Sequence, residues 1–228
     1  MYITNPYEQD RWVVEPKQWN KQTFIGIFIV LMFLINGFIG IGFSAYAKLF
    51  ISCTPLYLLA AAAAIIWAQS RRNNQFWLFL AGCGIAGWLV ECIGVNTGFP
   101  FGDYHYHDGL GAEIAEIPLI MGVMWWLTSF AASAVACELV ESRYSRMLFA
   151  ALLMVVFDVP VEHIAGKLGM WHWEAGYAPF QNYLGWFVYG FILQYFLQTM
   201  NFEKKNKVAV IYFIAAFLFF AALDVIEW

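Results

Sequence analysis

Charge is scarce in this chain. Of its 228 residues only 12% are Asp, Glu, Lys or Arg, whereas 62% are hydrophobic and 20% aromatic. Soluble domains carry about 25% charged residues, so this composition excludes an ordinary water-soluble protein and points to a membrane one. Cysteine is also sparse. Cys53, Cys83, Cys92 and Cys137 all lie in apolar stretches and form no C-x-x-C pair, which argues against a disulfide framework or a zinc knuckle. No lysine or arginine in the apolar stretches is placed to neutralise the acids there, so those acids have no built-in counter-charge.

What is present is a series of apolar windows. Spanning a bilayer takes about 20 mostly apolar residues, and seven windows qualify, at roughly 23–43, 49–69, 76–95, 117–139, 146–164, 183–200 and 208–226. If they alternate sides, ten basic residues share one side: Arg11, Lys17, Lys21, Arg71, Arg72, Arg143, Arg146, Lys204, Lys205 and Lys207. The other side holds only Lys48 and Lys167. The positive-inside rule then makes the amino terminus cytoplasmic. The first 22 residues are mixed in charge, and no small-residue cleavage site follows the first apolar run, which argues against a cleaved signal peptide. The expectation is an all-α polytopic bundle of about seven transmembrane helices. Residues 1–22 would form a cytoplasmic segment and 23–228 one transmembrane domain in the cytoplasmic membrane.

In this topology the loops at about 96–116 and 165–182 face outward, and every histidine lies in or beside them: His105, His107, His163 and His172. The intramembrane acids share that bias. Glu91 comes near the outer end of the third window, Asp158 and Glu162 lie in the outer third of the fifth, and Asp224 and Glu227 end the seventh. At 1.5 Å rise per residue, Glu91 and Asp158 sit on the order of 6 to 9 Å below the outer boundary. Acids at such depth usually face a bundle interior or a wet cavity. Asp158 and Glu162 share one helix face, with the helix-disturbing Pro160 between them. The small residues Ala81, Gly82, Cys83, Gly84, Ala86 and Gly87 allow close helix approach, which puts Glu91 inside the bundle. The two loops also rhyme: Glu91 precedes Gly98 by seven residues, Glu162 precedes Gly169 by seven, and an aromatic run follows each glycine.

Several chemistries compete for these residues. His105-Tyr106-His107-Asp108 has ligand-type side chains, but H-x-H alone is a weak metal signal and no metal site is expected. Tryptophans 125, 126, 171, 173 and 186 match an interfacial aromatic belt. Asp224 and Glu227 read equally well as acids that snorkel outward. A retinal protein is excluded, because its Schiff base requires a lysine midway along the last helix and residues 208–228 contain none. A carrier or other non-catalytic membrane binding protein would also use wet intramembrane acids. Against it, the acids are confined to the outer half and no polar path is evident toward the inner side.

Taken together, E91-C-I-G-V-N-T-G-F-P-F-G-D-Y-H-Y, Leu110-Gly111, Pro118, Trp125, Asp158, Glu162, G169-M-W-H-W-E-A-G-Y and N182-Y-L-G-W resemble the membrane carotenoid-biosynthesis family. That family includes CruF-type carotenoid 1,2-hydratases and the bisanhydrobacterioruberin hydratase of haloarchaea. The resemblance covers the third to the sixth window, roughly half the chain. One position departs from it, since His163 stands after Glu162 where the family often has proline. The resemblance implies addition of water to the terminal C1=C2 bond of an acyclic, lycopene-like, or monocyclic carotenoid.

Such hydration protonates an isolated alkene, forms a tertiary cation and delivers water to it, with no redox cofactor. A buried carboxylic acid keeps its proton at neutral pH, and Asp158, the deeper acid of its helix, is the expected donor. Glu91 and Glu162 would orient the water, with His105 or His172 as relays. Tyr104, Tyr106, Trp171 and Trp173 would face the cation. Asn96, Phe99, Phe101, Trp125, Asn182 and Trp186 complete the expected substrate contacts, and Gly98, Pro100 and Gly102 let the loop turn tightly. The expected partners are the carotenoid, water, the lipid bilayer and other pigment enzymes. No nucleic acid and no cofactor is expected.

Overall fold

The computed structural model describes residues 19–226; Arg11, Lys17 and Glu227 lie outside this range. Helix α1 covers Lys21–Phe43, α2 Ala47–Ser52, α3 Thr54–Ala68 and α4 Asn74–Thr97. After a loop come α5 (Ile120–Leu139) and α6 (Arg143–Ala165), then α7 (Phe180–Thr199) and α8 (Lys207–Val225). Four short strands interrupt this pattern: β1 Tyr104–Tyr106, β2 Glu113–Ile114, β3 Ile117–Pro118 and β4 Trp171–Trp173. The result is a polytopic helical bundle with a small β element at one end.

Among the described residues five helices are long and apolar enough to cross a membrane: α1, α4, α5, α6 and α8. The remaining two expected spans differ for visible reasons. In the second window Pro55 opens a new helix, where its missing N–H costs nothing, so the stretch divides into α2 and the 15-residue α3. Helix α7 has 20 residues but carries the amides of Gln181, Asn182, Gln194 and Gln198. Pro160 sits inside α6 without ending it.

Three helices start alike, at one end of the bundle. The side chains of Asn20, Asn73 and Asn206 accept from the backbone N–H groups of Thr23, Phe76 and Ala209, capping α1, α4 and α8. Helix α5 forms the centre, with 16 of its 20 residues buried. Helix α4 packs on it through residues spaced three and four apart, including Phe76, Phe79, Cys83, Gly87, Val90 and Glu91. Here the small residues matter: a Cβ on Gly122 would lie 2.6 Å from the Gly84 carbonyl oxygen, so the two backbones touch.

Between α5 and α7 runs a row of buried polar contacts. Gln194 Nε2 donates to the Ser129 carbonyl and Gln198 Nε2 to Ser133 Oγ, both at 2.8 Å. This corrects the expectation that polarity stops in the outer half. The row is legible only once α5 and α7 are known to be neighbours, because each residue alone reads as an isolated polar side chain. The two amide N–H groups bond across the helix contact, as interhelical hydrogen bonds do in membranes, while Ser129 Oγ and Gln194 Oε1 stay buried without a hydrogen-bond partner among the described residues.

Candidate active site

The two outer loops come together as a ribbon. Strands β1 and β4 pair antiparallel, with Tyr104 opposite Trp173, His105 opposite His172 and Tyr106 opposite Trp171. Backbone bonds from His107 to Met170 and from Gly109 to Gly169, each 3.0 Å, prolong the pairing. The glycines that rhyme in the sequence share a left-handed backbone. Gly98 (φ 68°) ends α4 and Gly169 (φ 61°) precedes β4, both in the left-handed region where a Cβ is disfavoured. The Phe99–Pro100 peptide is cis.

Side chains alternate across a strand, and here the alternation sorts chemistry. Tyr104, Tyr106, Trp171 and Trp173 point into the bundle, while His105, His107 and His172 are exposed on the opposite face. The inward side chains end on the acids. Glu91 Oε2 accepts from Tyr104 (2.5 Å) and Tyr106 (2.8 Å), and its Oε1 accepts from Trp125 Nε1 (2.6 Å). Glu162 Oε2 accepts from the indoles of Trp171 (3.0 Å) and Trp173 (2.6 Å), and its Oε1 accepts from Asn182 Nδ2 (3.1 Å). The same Asn182 amide donates to Asp158 Oδ2 at 2.8 Å. Burial, and next the Glu91 carboxylate, hold the Tyr104 and Tyr106 phenols above their ordinary value, so both remain donors.

Between the two acids lies a cavity lined by Glu91, Glu162, Tyr104, Tyr106, Trp173 and Asn182, with Phe101, Met121, Trp171 and Trp186 completing the wall. Its free volume of about 20 Å³ holds one water. Ligand pockets run to about 300–1,000 Å³, so a hydrocarbon end enters only when the ribbon lifts. An aromatic stack backs the cavity: Trp125 lies 4.3 Å from Trp186 and 6.0 Å from Phe101 between ring centroids. Among the described residues none of the three acids makes an ion pair with a cation.

Most of the expected site residues therefore converge. Trp125 binds Glu91, while Gly98 and Gly102 shape the loop between α4 and β1. Asp158 is buried but stands behind Asn182 and does not line the cavity. Four residues lie elsewhere. Asn96 is exposed and bonds the Cys92 carbonyl, Phe99 is 70% exposed, and His105 and His172 occupy the outer face of the ribbon. Met121 is a wall residue that sequence reasoning passes over, since one methionine in an apolar helix carries no signal. His163 turns away from the acids and bonds Asp224 at 3.0 Å, tying α6 to α8. Among the described residues no group of three metal-type side chains converges.

Comparison with known proteins gives the context for this geometry. The bisanhydrobacterioruberin hydratase of Haloarcula japonica is 26% identical over 158 residues, covering 66% of this chain and 52% of that protein. This chain thus spans about half the length of that curated relative. No solved structure matches. The family described as carotenoid biosynthesis protein matches residues 52–227, which include both acid-bearing helices and the whole ribbon, and the chain belongs to that family.

Proposed function

We propose that the protein is a membrane hydratase that adds water across the terminal C1=C2 double bond of an acyclic or monocyclic carotenoid. The observation that carries this reading is the small aromatic cavity between Glu91 and Glu162, whose carboxylates each receive three hydrogen bonds. Membership in a carotenoid family and similarity to a protein named as a hydratase support it.

Protonating an isolated alkene is difficult because the acid must give up its proton to carbon. Donors already aimed at the carboxylate stabilise the anion left behind and lower that barrier. We assign the proton donor to Glu162, which faces the cavity; Asp158 shares Asn182 with it and acts as a positioning residue. The proton goes to C2, the less substituted carbon, and the positive charge develops on tertiary C1 beside the faces of Trp173 and Trp186. Water held near Glu91 and the phenols adds to C1, and the proton it loses returns to the carboxylates. The net change is one water per carotenoid end, with no electron transfer.

In the same proposal the chain crosses the cytoplasmic membrane seven times, with α2 and α3 together making the second crossing. Its amino terminus is cytoplasmic, and residues 23–228 form one domain. The cavity then opens at the outer boundary, where a bilayer-dissolved hydrocarbon meets water. Production in a lycopene-accumulating bacterium, with pigment masses measured, tests the reading. A gain of one water mass per modified end is expected. Unchanged pigment beside correctly inserted protein would overturn it in favour of a non-catalytic binding or transport protein.

A further inference from the structure

At the end of the bundle opposite the ribbon lies a second polar cavity, of about 370 Å³, formed where the α3–α4 turn, the start of α6 and the α7–α8 linker meet. Four cations line it, Arg71, Arg146, Lys204 and Lys205, against the single carboxylate of Glu203. None of the four is among the ion pairs of the described residues; the nearby Lys207 is, with Glu138 at 2.9 Å.

Their existing contacts leave charge unspent. Arg146 uses Nε on the Val140 carbonyl at 2.5 Å, and Lys204 Nζ bonds the Met200 carbonyl while lying 4.6 Å from the centre of the Phe202 ring. Lys204 is half-buried, and its ammonium is held down at about 8 by that burial, with Arg143 and Arg146 adding repulsion against the pull of Cys137 and Glu203. A basic loop surface is expected on the inner side of any membrane protein. A concave one, holding a half-buried lysine with no carboxylate ion pair among the described residues, is a more specific arrangement.

We propose that this cavity binds a phosphate group, supplied either by the headgroup of an anionic phospholipid or by free phosphate. Tetrahedral oxyanions suit the donor set, because guanidinium groups give forked hydrogen bonds and ammonium groups add point charge. Buried Phe202 and Cys137 in the wall provide an apolar side beside the charged one, as a headgroup at the membrane boundary requires.

The test measures the thermal unfolding midpoint of the full chain in nanodiscs of phosphatidylcholine alone or with phosphatidylglycerol, and separately with inorganic phosphate titrated into the former. A higher midpoint with phosphatidylglycerol but not with inorganic phosphate identifies the lipid source. A response to both identifies phosphate itself as sufficient. In either case Lys204→Gln and Arg71→Gln lower the apparent affinity about tenfold each, whereas Arg72→Gln, off the cavity wall, does not. Should Lys204→Gln fail to insert, exposed Arg71 carries the test alone. Equal midpoints in both lipids with no effect of phosphate, or an undiminished response in the cavity variants, would overturn the proposal.

Discussion

Glu91 and Glu162 are held by different chemistry: two phenols and an indole for the first, two indoles and an amide for the second. An indole N–H donates only, so neither Trp171 nor Trp173 can take the Glu162 proton, and the carboxyl also borders the cavity. Glu162→Gln should reduce hydration about 10²–10⁴-fold, the usual worth of a general acid, measured as product per inserted protein in membranes. Trp173→Phe removes one donor while keeping the aromatic face and should cost roughly 10²-fold. Asp158→Asn should slow the reaction less than Glu162→Gln and also displace its pH profile, as a residue acting through Asn182 would. At the opposite end Lys204 sets a separate pH dependence. It is cationic below about 8 and neutral above, so phosphate affinity should weaken as pH rises through that value, and Lys204→Gln should flatten the curve.

The β1–β4 ribbon assigns roles to residues that sequence treats alike. Its alternation puts phenols and indoles inward and imidazoles outward, so His105→Ala and His172→Ala should each leave hydration within about twofold, as exposed substitutions commonly do. A large loss in either would restore the histidine relay. Gly98→Ala should destabilise the loop by about 1–2 kcal/mol, because a left-handed backbone clashes with a Cβ, and unfolding in detergent would report it. Much of this element was legible in advance. The seven-residue spacing from each acid to a glycine, and the aromatic runs that follow, mark two equivalent corners. Their pairing was not legible, because strand partners about 70 residues apart are chosen by three-dimensional proximity. Without the register, neither the outward face of the histidines nor the retreat of Asp158 behind Asn182 follows from residue order.

For the molecule as a whole, hydropathy located every long helix but not how the second window divides, since Pro55 is tolerated at a helix start as readily as in a loop. Orientation rests on the basic loops, and it is open to direct measurement. A cysteine replacing exposed Glu116 in a background lacking the native cysteines should react with an impermeant thiol reagent in intact cells. One replacing exposed Arg72 should react only after the cells are opened; the reverse pattern would invert the topology.

The hydrogen bonds to the two acids have a consequence for how the chain enters the membrane. Glu91 draws its donors from residues 13, 15 and 34 positions later, and Glu162 from residues 9, 11 and 20 positions later. Neither acid waits for the other half of the protein. An acid costs about 2.5–3.5 kcal/mol on insertion at a helix centre and less toward the ends, where Glu91 and Glu162 lie, and each here meets its own solvating groups within the next stretch to leave the ribosome. The two halves of the cavity can therefore mature one after the other during synthesis, and pairing of the ribbon joins parts that are already electrically settled.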